Sequence, residues 1–170
     1  FKRKRRLSQG KPPIYDRSSL KLDDTKIKEY EAEGRIPHWR FMLDHSDIIF
    51  DDLVRGFVQF HGSYLSDPVL VREDGTYLYM LPSTVDDVEM AVTHVIRGED
   101  HVANTAVQIQ LFEALGFKPP IFAHMPLLTD ISGKGLSKRF GSQTIASIRE
   151  DGLEAMALNS YLANVGTSES

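Results

Sequence analysis

Two short stretches carry residue types whose combination suits chemistry on a charged substrate. In Gly133-Lys134-Gly135-Leu136-Ser137-Lys138-Arg139, glycines flank a hydroxyl and adjacent cations. A loop of that kind fits a polyphosphate, because charge that builds during phosphoryl or nucleotidyl transfer needs positioned cations. Taken alone it equally reads as a solvated turn. In Thr93-His94-Val95-Ile96-Arg97-Gly98-Glu99-Asp100-His101, a β-branched run delivers Arg97 to the C-terminal end of a strand, and Gly98 permits a tight exit. Ligands of open α/β sheets sit at such strand ends. An arginine there can grip a carboxylate with two parallel hydrogen bonds, or it can pair with Glu99, Asp100 or Asp86 on the surface. The paired acids Asp86-Asp87 suggest either metal binding or acid–base work, or simply a turn and a helix cap.

These residues need elements to hold them. Pro12-Pro13 marks a loop over residues 10–16, and Asp23-Asp24 with Gly34 predicts a short surface helix between them. Three β-like runs follow, His38 to Phe41, Ile48 to Phe50 and Phe57 to Phe60, predicting a small antiparallel sheet with Asp51-Asp52 in a turn that holds a local ion pair. Asp74-Gly75 between Val69–Arg72 and Thr76–Met80 predicts a hairpin. From there strand and helix alternate. Residues 91–96 read as a buried strand. Asn104 or Thr105 caps a helix whose apolar positions Val107, Leu111 and Leu115 share one face, and Gly116 ends it. Ile121 to Met125 is the next strand, residues 130–141 form a loop, and helices follow over 144–150 and 153–165. This alternation is an α/β layer grammar.

Composition sets the limits. The chain has 170 residues, 41% hydrophobic and 26% charged, with a mean hydropathy of −0.27, which suits one folded domain with a small appendage. No apolar run reaches the ~18 residues of a membrane span. Zero cysteines exclude disulfides and thiolate metal sites, and the six histidines form no His-x-x-x-His pair, so no protein metal site is expected. The net charge of −4 hides a basic cluster over residues 2–11, which reads as a fraying, solvated end or as a phosphate-facing patch. The absence of a starting methionine and the ending at Ser170 suggest part of a longer polypeptide.

In order and spacing, several strings together resemble one family, the bacterial-type glutamyl-tRNA synthetases of class I. They are Tyr15-Asp16-Arg17, Phe50 to Gly56, Val85-Asp86-Asp87, His94 to His101 with Asn104-Thr105, Phe122 to Leu128, and Leu136-Ser137-Lys138-Arg139. The last looks like this family's form of the KMSKS loop. The resemblance covers nearly the whole chain. It implies the second half of a class I Rossmann-type α/β catalytic fold with an inserted α+β subdomain. Residues 1–72 would be a basic N-terminal segment and an insertion holding the tRNA acceptor end. Residues 73–128 would be the second Rossmann half, and 129–170 the KMSKS-like loop with the start of a helical region.

The resemblance also implies a reaction and its residues. ATP, with Mg2+ as its companion, activates L-glutamate to glutamyl-adenylate, and the glutamyl group passes to tRNA(Glu), or also to tRNA(Gln). Lys138 and Ser137 would be catalytic, with Leu136, Arg139, Asp100 and His101 on the ATP side. Arg97, Tyr79 and Ser83 would bind glutamate, Ser83 standing where many members carry asparagine. Asp51, Asp52 and Arg55 would lie near the tRNA acceptor end, and Asp86-Asp87 would be a structural turn and cap. A monomeric cytoplasmic enzyme without membrane contact is implied. The family's HIGH motif does not occur in these residues, so the stretch should be inactive alone. Two alternatives are a non-catalytic tRNA-binding paralogue and an enzyme that glutamylates a modified nucleoside in tRNA(Asp), against which Arg139 argues.

Overall fold

In the computed structural model, residues 4, 7–10, 13–129 and 144–165 are described. Leu136, Ser137, Lys138 and Arg139, the expected polyphosphate loop, lie outside them. A four-stranded mixed sheet forms the centre, in the order β3 (Gly56–His61), β2 (Asp47–Asp52), β6 (Ile121–Met125), β5 (His94–Gly98). β2 and β3 are an antiparallel hairpin, whereas β6 runs parallel to both β2 and β5. The parallel β5–β6 pair requires a crossover, and α3 (Val102–Ala114) supplies it. The hairpin β2–β3 thus joins the same sheet as β5 and β6, across the division expected near residue 72.

α3 packs on one face of this sheet and is buried around most of its circumference. Its Ala106, Ile109 and Phe112 meet Ile48 and Phe122 of the sheet, while Val107 and Leu111 meet Leu43. The single stripe read from the sequence is therefore one of two, and Leu115, assigned to it, is 42% exposed. Two buried glutamines on this helix bind outward: Gln110 exchanges hydrogen bonds with the backbone of Asp44 at 2.8 and 3.0 Å, and Gln108 faces Arg97. Such satisfaction is what allows amides inside a core.

Around this core sit smaller pieces. α1 (Asp24–Ala32) starts where expected, Asp23 accepting the Lys26 N–H at 2.8 Å. β1 (Trp39–Arg40) pairs with β4 (Val69–Val71) in a separate two-stranded sheet. Asp67, just before β4, ties three segments: it takes two parallel hydrogen bonds from Arg17, at 2.7 and 2.8 Å, and one from the Leu43 N–H. Burial raises the Asp67 pKa, but the Arg17 and Leu43 hydrogen bonds outweigh it and hold the carboxyl below its ordinary value. α4 (Ile145–Glu150) carries a capping box between Thr144 and Ser147, and α5 (Ala155–Val165) follows.

Four local expectations are corrected. The Asp74-Gly75 turn exists, with Gly75 at φ +81°, but its second arm is only a bridge between Val71 and Tyr77. The chain then enters α2 (Met80–Glu89) at once, and Pro82 in the first turn costs that helix nothing because its missing N–H would be unpaired there anyway. Asp86-Asp87 lie inside α2, so they form neither a turn nor a cap. Residues 91–93 make the turn into β5, an edge strand with Ile96 69% exposed, instead of a buried strand. Finally, α3 begins at Val102 after a 3-10 turn over Glu99–His101, and neither Asn104 nor Thr105 caps it.

Candidate functional site

Parallel pairing decides which side chains meet. Arg97 on β5 stands directly opposite His124 on β6, so both project from the same face of the sheet, toward the N-terminal half of α3. The helix offers Thr105 and Gln108, one turn apart, and the first residues of α2 approach from the other side. Four elements therefore converge on one guanidinium.

The resulting bonds are specific. Arg97 Nε donates to His124 Nε2 at 3.2 Å, Nη2 donates to Thr105 Oγ1 and to Gln108 Oε1 at 2.6 Å each, and Nη1 donates to Tyr79 Oη at 3.3 Å. The Phe122 ring lies 5.5 Å from the guanidinium carbon. None of these partners is a carboxylate, and among the described residues Arg97 has no ion pair. The surface pairing with Glu99, Asp100 or Asp86 is thus not made: Glu99 instead binds Arg55 at 2.6 Å. Burial lowers the Arg97 pKa from its ordinary value, the Tyr79 hydroxyl and the charges of Asp87 and Asp100 opposing this. A guanidinium is always charged. One held by acceptors other than carboxylates beside solvent, with an N–H on Nη1 that no described residue accepts, is suited to a ligand carboxylate.

Four further expected residues lie around it. Tyr79 is 51% exposed and bridges Arg97 and His101, its ring meeting the His101 ring edge-on at 5.6 Å. Ser83 accepts from Gln108 Nε2 at 3.0 Å, so it touches Arg97 only through that amide. Asp100 and His101 lie together on the 3-10 turn that follows β5, 3.8 Å apart, with Asp100 the more exposed. Gly98 makes their position possible. Its φ of −70° is ordinary, but a Cβ there would stand 2.6 Å from Asp100 Oδ1 and 2.9 Å from Leu127 Cδ2.

The trio Asp51, Asp52 and Arg55 separates. Asp51 and Arg55 are exposed, whereas Asp52 is 3% exposed and turns inward, so it is not available for a surface contact with tRNA. The expected local ion pair is not formed. Asp52 Oδ1 instead accepts the backbone N–H of Val54, Arg55 and His124 at 2.9–3.1 Å, and Oδ2 accepts Nδ1 of His124 at 2.5 Å. Burial raises the Asp52 pKa, but these hydrogen bonds outweigh it and hold the value at about 2.

His124, Thr105 and Gln108 were not singled out as site residues. For His124 the signal was available: in Ile121-Phe122-Ala123-His124-Met125 the period of two puts a polar ring on the buried face with Phe122. The pairing with Arg97 needed the strand register. Among the described residues no group of three or more His, Asp or Glu could hold a metal ion, and no helix is long and apolar enough to cross a membrane.

Residues 2–170 match the family model described as tRNA synthetases class I (E and Q), catalytic domain. A glutamate–tRNA ligase of Azospirillum brasilense is 62% identical over 170 residues, covering 99% of this chain and 38% of the relative. Glutamate–tRNA ligase 2 of Mesorhizobium japonicum is 55% identical, covering 99% and 39%. The crystal structure of a glutamate tRNA ligase from Elizabethkingia meningosepticum, in complex with its amino acid, superposes with a TM-score of 0.68 at 34% identity, over 82% of this chain and 30% of that one. The chain therefore spans about two fifths of the length of the curated relatives it matches.

Proposed function

The chain belongs to the class I tRNA synthetases for glutamate and glutamine, and from that premise we propose that it forms part of an ATP-dependent ligase joining L-glutamate to tRNA(Glu) through a glutamyl-adenylate. The observation that carries the choice of amino acid is Arg97, a charged guanidinium with no carboxylate among its hydrogen-bond partners in the described residues. Glutamate's side-chain carboxylate supplies the missing charge. Glutamine in the same place offers a neutral oxygen and two N–H donors that find more donors, and a charge-assisted bond contributes about 1.5–3 kcal/mol. Tyr79 forms the open wall of that pocket, and Ser83 fixes Gln108.

The chemistry needs no protein nucleophile. The glutamate α-carboxylate attacks the α-phosphorus of ATP, pyrophosphate leaves, and the terminal adenosine of the tRNA then attacks the acyl carbon and releases AMP. What the protein contributes is alignment and compensation of charge. Lys138 serves the phosphates, with Ser137, Leu136 and Arg139 beside it and Mg2+ arriving with the nucleotide. Asp100 and His101, on the turn after Arg97, serve the nucleotide side. Asp51 and Arg55 on the β2–β3 hairpin face the tRNA acceptor end, as part of an acceptor-holding region within residues 1–72; residues 73–128 carry the amino-acid pocket and 129–170 the phosphate loop and stem contacts. The enzyme acts as a cytoplasmic monomer.

The test is tRNA charging with labelled glutamate by a full-length protein containing these residues, using purified tRNA(Glu) and tRNA(Gln) separately, beside Lys138→Ala. Charging of tRNA(Glu) that falls by about a hundredfold or more in the variant is expected for a lysine aligned on the transferring phosphate. Charging of tRNA(Gln) as well would widen the substrate range. A folded wild type that charges neither would overturn the proposal in favour of a non-catalytic paralogue or the tRNA(Asp) nucleoside enzyme.

A further inference from the structure

Behind the guanidinium lies a buried chain of hydrogen bonds that the reaction itself does not use. Arg97 Nε can only donate, so the atom it meets, His124 Nε2, must accept. A neutral imidazole that accepts at Nε2 carries its proton on Nδ1, and that atom faces Asp52 Oδ2 at 2.5 Å. Asp52 is fixed in turn by three backbone N–H groups on its other oxygen. His124 is fully buried, stacked at 6.2 Å with Phe122 and tilted at 6.4 Å against Phe50, and its Nε2 also lies 2.9 Å from Thr105 Oγ1.

We infer that Asp52 and His124 are positioning residues for Arg97, the carboxylate fixing the imidazole tautomer so that Nε2 aims the guanidinium at the ligand carboxylate. The inference rests on the proposed role of Arg97 in reading glutamate. Its physical content is directional. A carboxylate at position 52 can only accept, which forces the proton onto Nδ1 and leaves the lone pair on Nε2. Were the proton on Nε2, it would meet the Arg97 Nε–H donor to donor, and the guanidinium would lose one of the bonds that fix its plane. The same logic governs any imidazole whose far nitrogen must be kept in one protonation state.

Asp52→Asn tests this with little change of shape. The three backbone N–H groups keep the amide oxygen on their side, so the amide NH2 faces His124 Nδ1 and drives the proton to Nε2. In full-length protein labelled with 15N-histidine and 15N-arginine, the expected wild-type signals are a protonated Nδ1 on His124 and a slowly exchanging Nε–H on Arg97. In Asp52→Asn the tautomer reverses, the Arg97 Nε–H exchanges faster, and the KM for glutamate in charging rises about tenfold, the loss of one charge-assisted bond. The KM values for ATP and tRNA stay within about twofold, since neither ligand meets Arg97 in the proposed site.

A second pair of variants guards against a merely structural effect. His124→Gln keeps an acceptor for Arg97 and should hold the glutamate KM within about threefold, whereas His124→Leu removes it and should not. A wild-type proton on Nε2, or a reversed tautomer with an unchanged Arg97 Nε–H and glutamate KM, would overturn the inference. So would equal losses in the Gln and Leu variants. A wild type that charges no glutamate would instead remove the ligase proposal, while the Arg97 exchange comparison still decides whether Asp52 positions the arginine.

Discussion

Arg97 meets Tyr79, Thr105, Gln108 and His124 at once, and the nature of those partners, none of them a carboxylate, determines what it can hold. A carboxylate partner within the protein would have consumed the charge that a ligand needs. The nearest fixed carboxylate in the chain of bonds, Asp52, is kept one imidazole away. Its depressed pKa makes a stability prediction. The folded value, about 2, lies below the ordinary value near 3.8, so its contribution is present above the unfolded value and is lost as pH falls through the folded one. Asp52→Asn should therefore be destabilised by roughly 2 kcal/mol at neutral pH, with the gap to wild type closing between pH 4 and 2. Denaturant melts across that range check it, and a gap independent of pH would contradict the ionised state. At this scale the sequence pointed to Arg97 and Tyr79, which meet at 3.3 Å, but placed Asp52 at the surface. Adjacent acids such as Asp51-Asp52 look alike in sequence, and only the strand's alternation turns one outward and the other into the core.

Strand β5, the 3-10 turn after it and helix α3 act as one device: the strand end presents Arg97, the turn presents Asp100 and His101, and the helix returns Thr105 and Gln108 to the arginine. Gly98 is its hinge, and its role is steric because its backbone is ordinary extended chain. The Cβ of an alanine would collide with the tip of the Asp100 side chain and with Leu127, both partly exposed and able to rotate. Gly98→Ala should thus cost less than about 1 kcal/mol. It should still raise the KM for ATP in charging, because Asp100 is displaced from the proposed nucleotide side. Loss of stability without a change in ATP dependence would argue against that placement. The tight exit was legible from Gly98 itself. The burial of α3 around most of its surface was not, because alternating apolar and amide residues such as Ile109 and Gln110 look amphipathic until Asp44 and Arg97 supply the partners of the amides.

Across the whole molecule, the sheet unites segments that the sequence suggested were separate, since β2 of the expected insertion lies beside β6 of the expected catalytic half. That junction is short, a parallel contact centred on Asp52 and Phe122, and it builds the buried end of the arginine site. The opposite face of the sheet carries exposed Ile49, Phe57 and Ile96. Net charge said little about partners because the site depends on one local cation and not on the balance of the chain. The family resemblance was legible because it rests on strings spread over nearly every element. The polar chain behind Arg97 was not, because its members are 27 and 72 residues apart and meet only through strand pairing. The most direct test of the account is the glutamate dependence of tRNA charging by the full-length protein with Arg97→Ala. A KM for glutamate raised about a hundredfold, with the KM for tRNA unchanged, is the expected result for loss of a guanidinium that binds the amino acid's carboxylate. An unchanged glutamate KM, or equal losses for glutamate and tRNA, would contradict it.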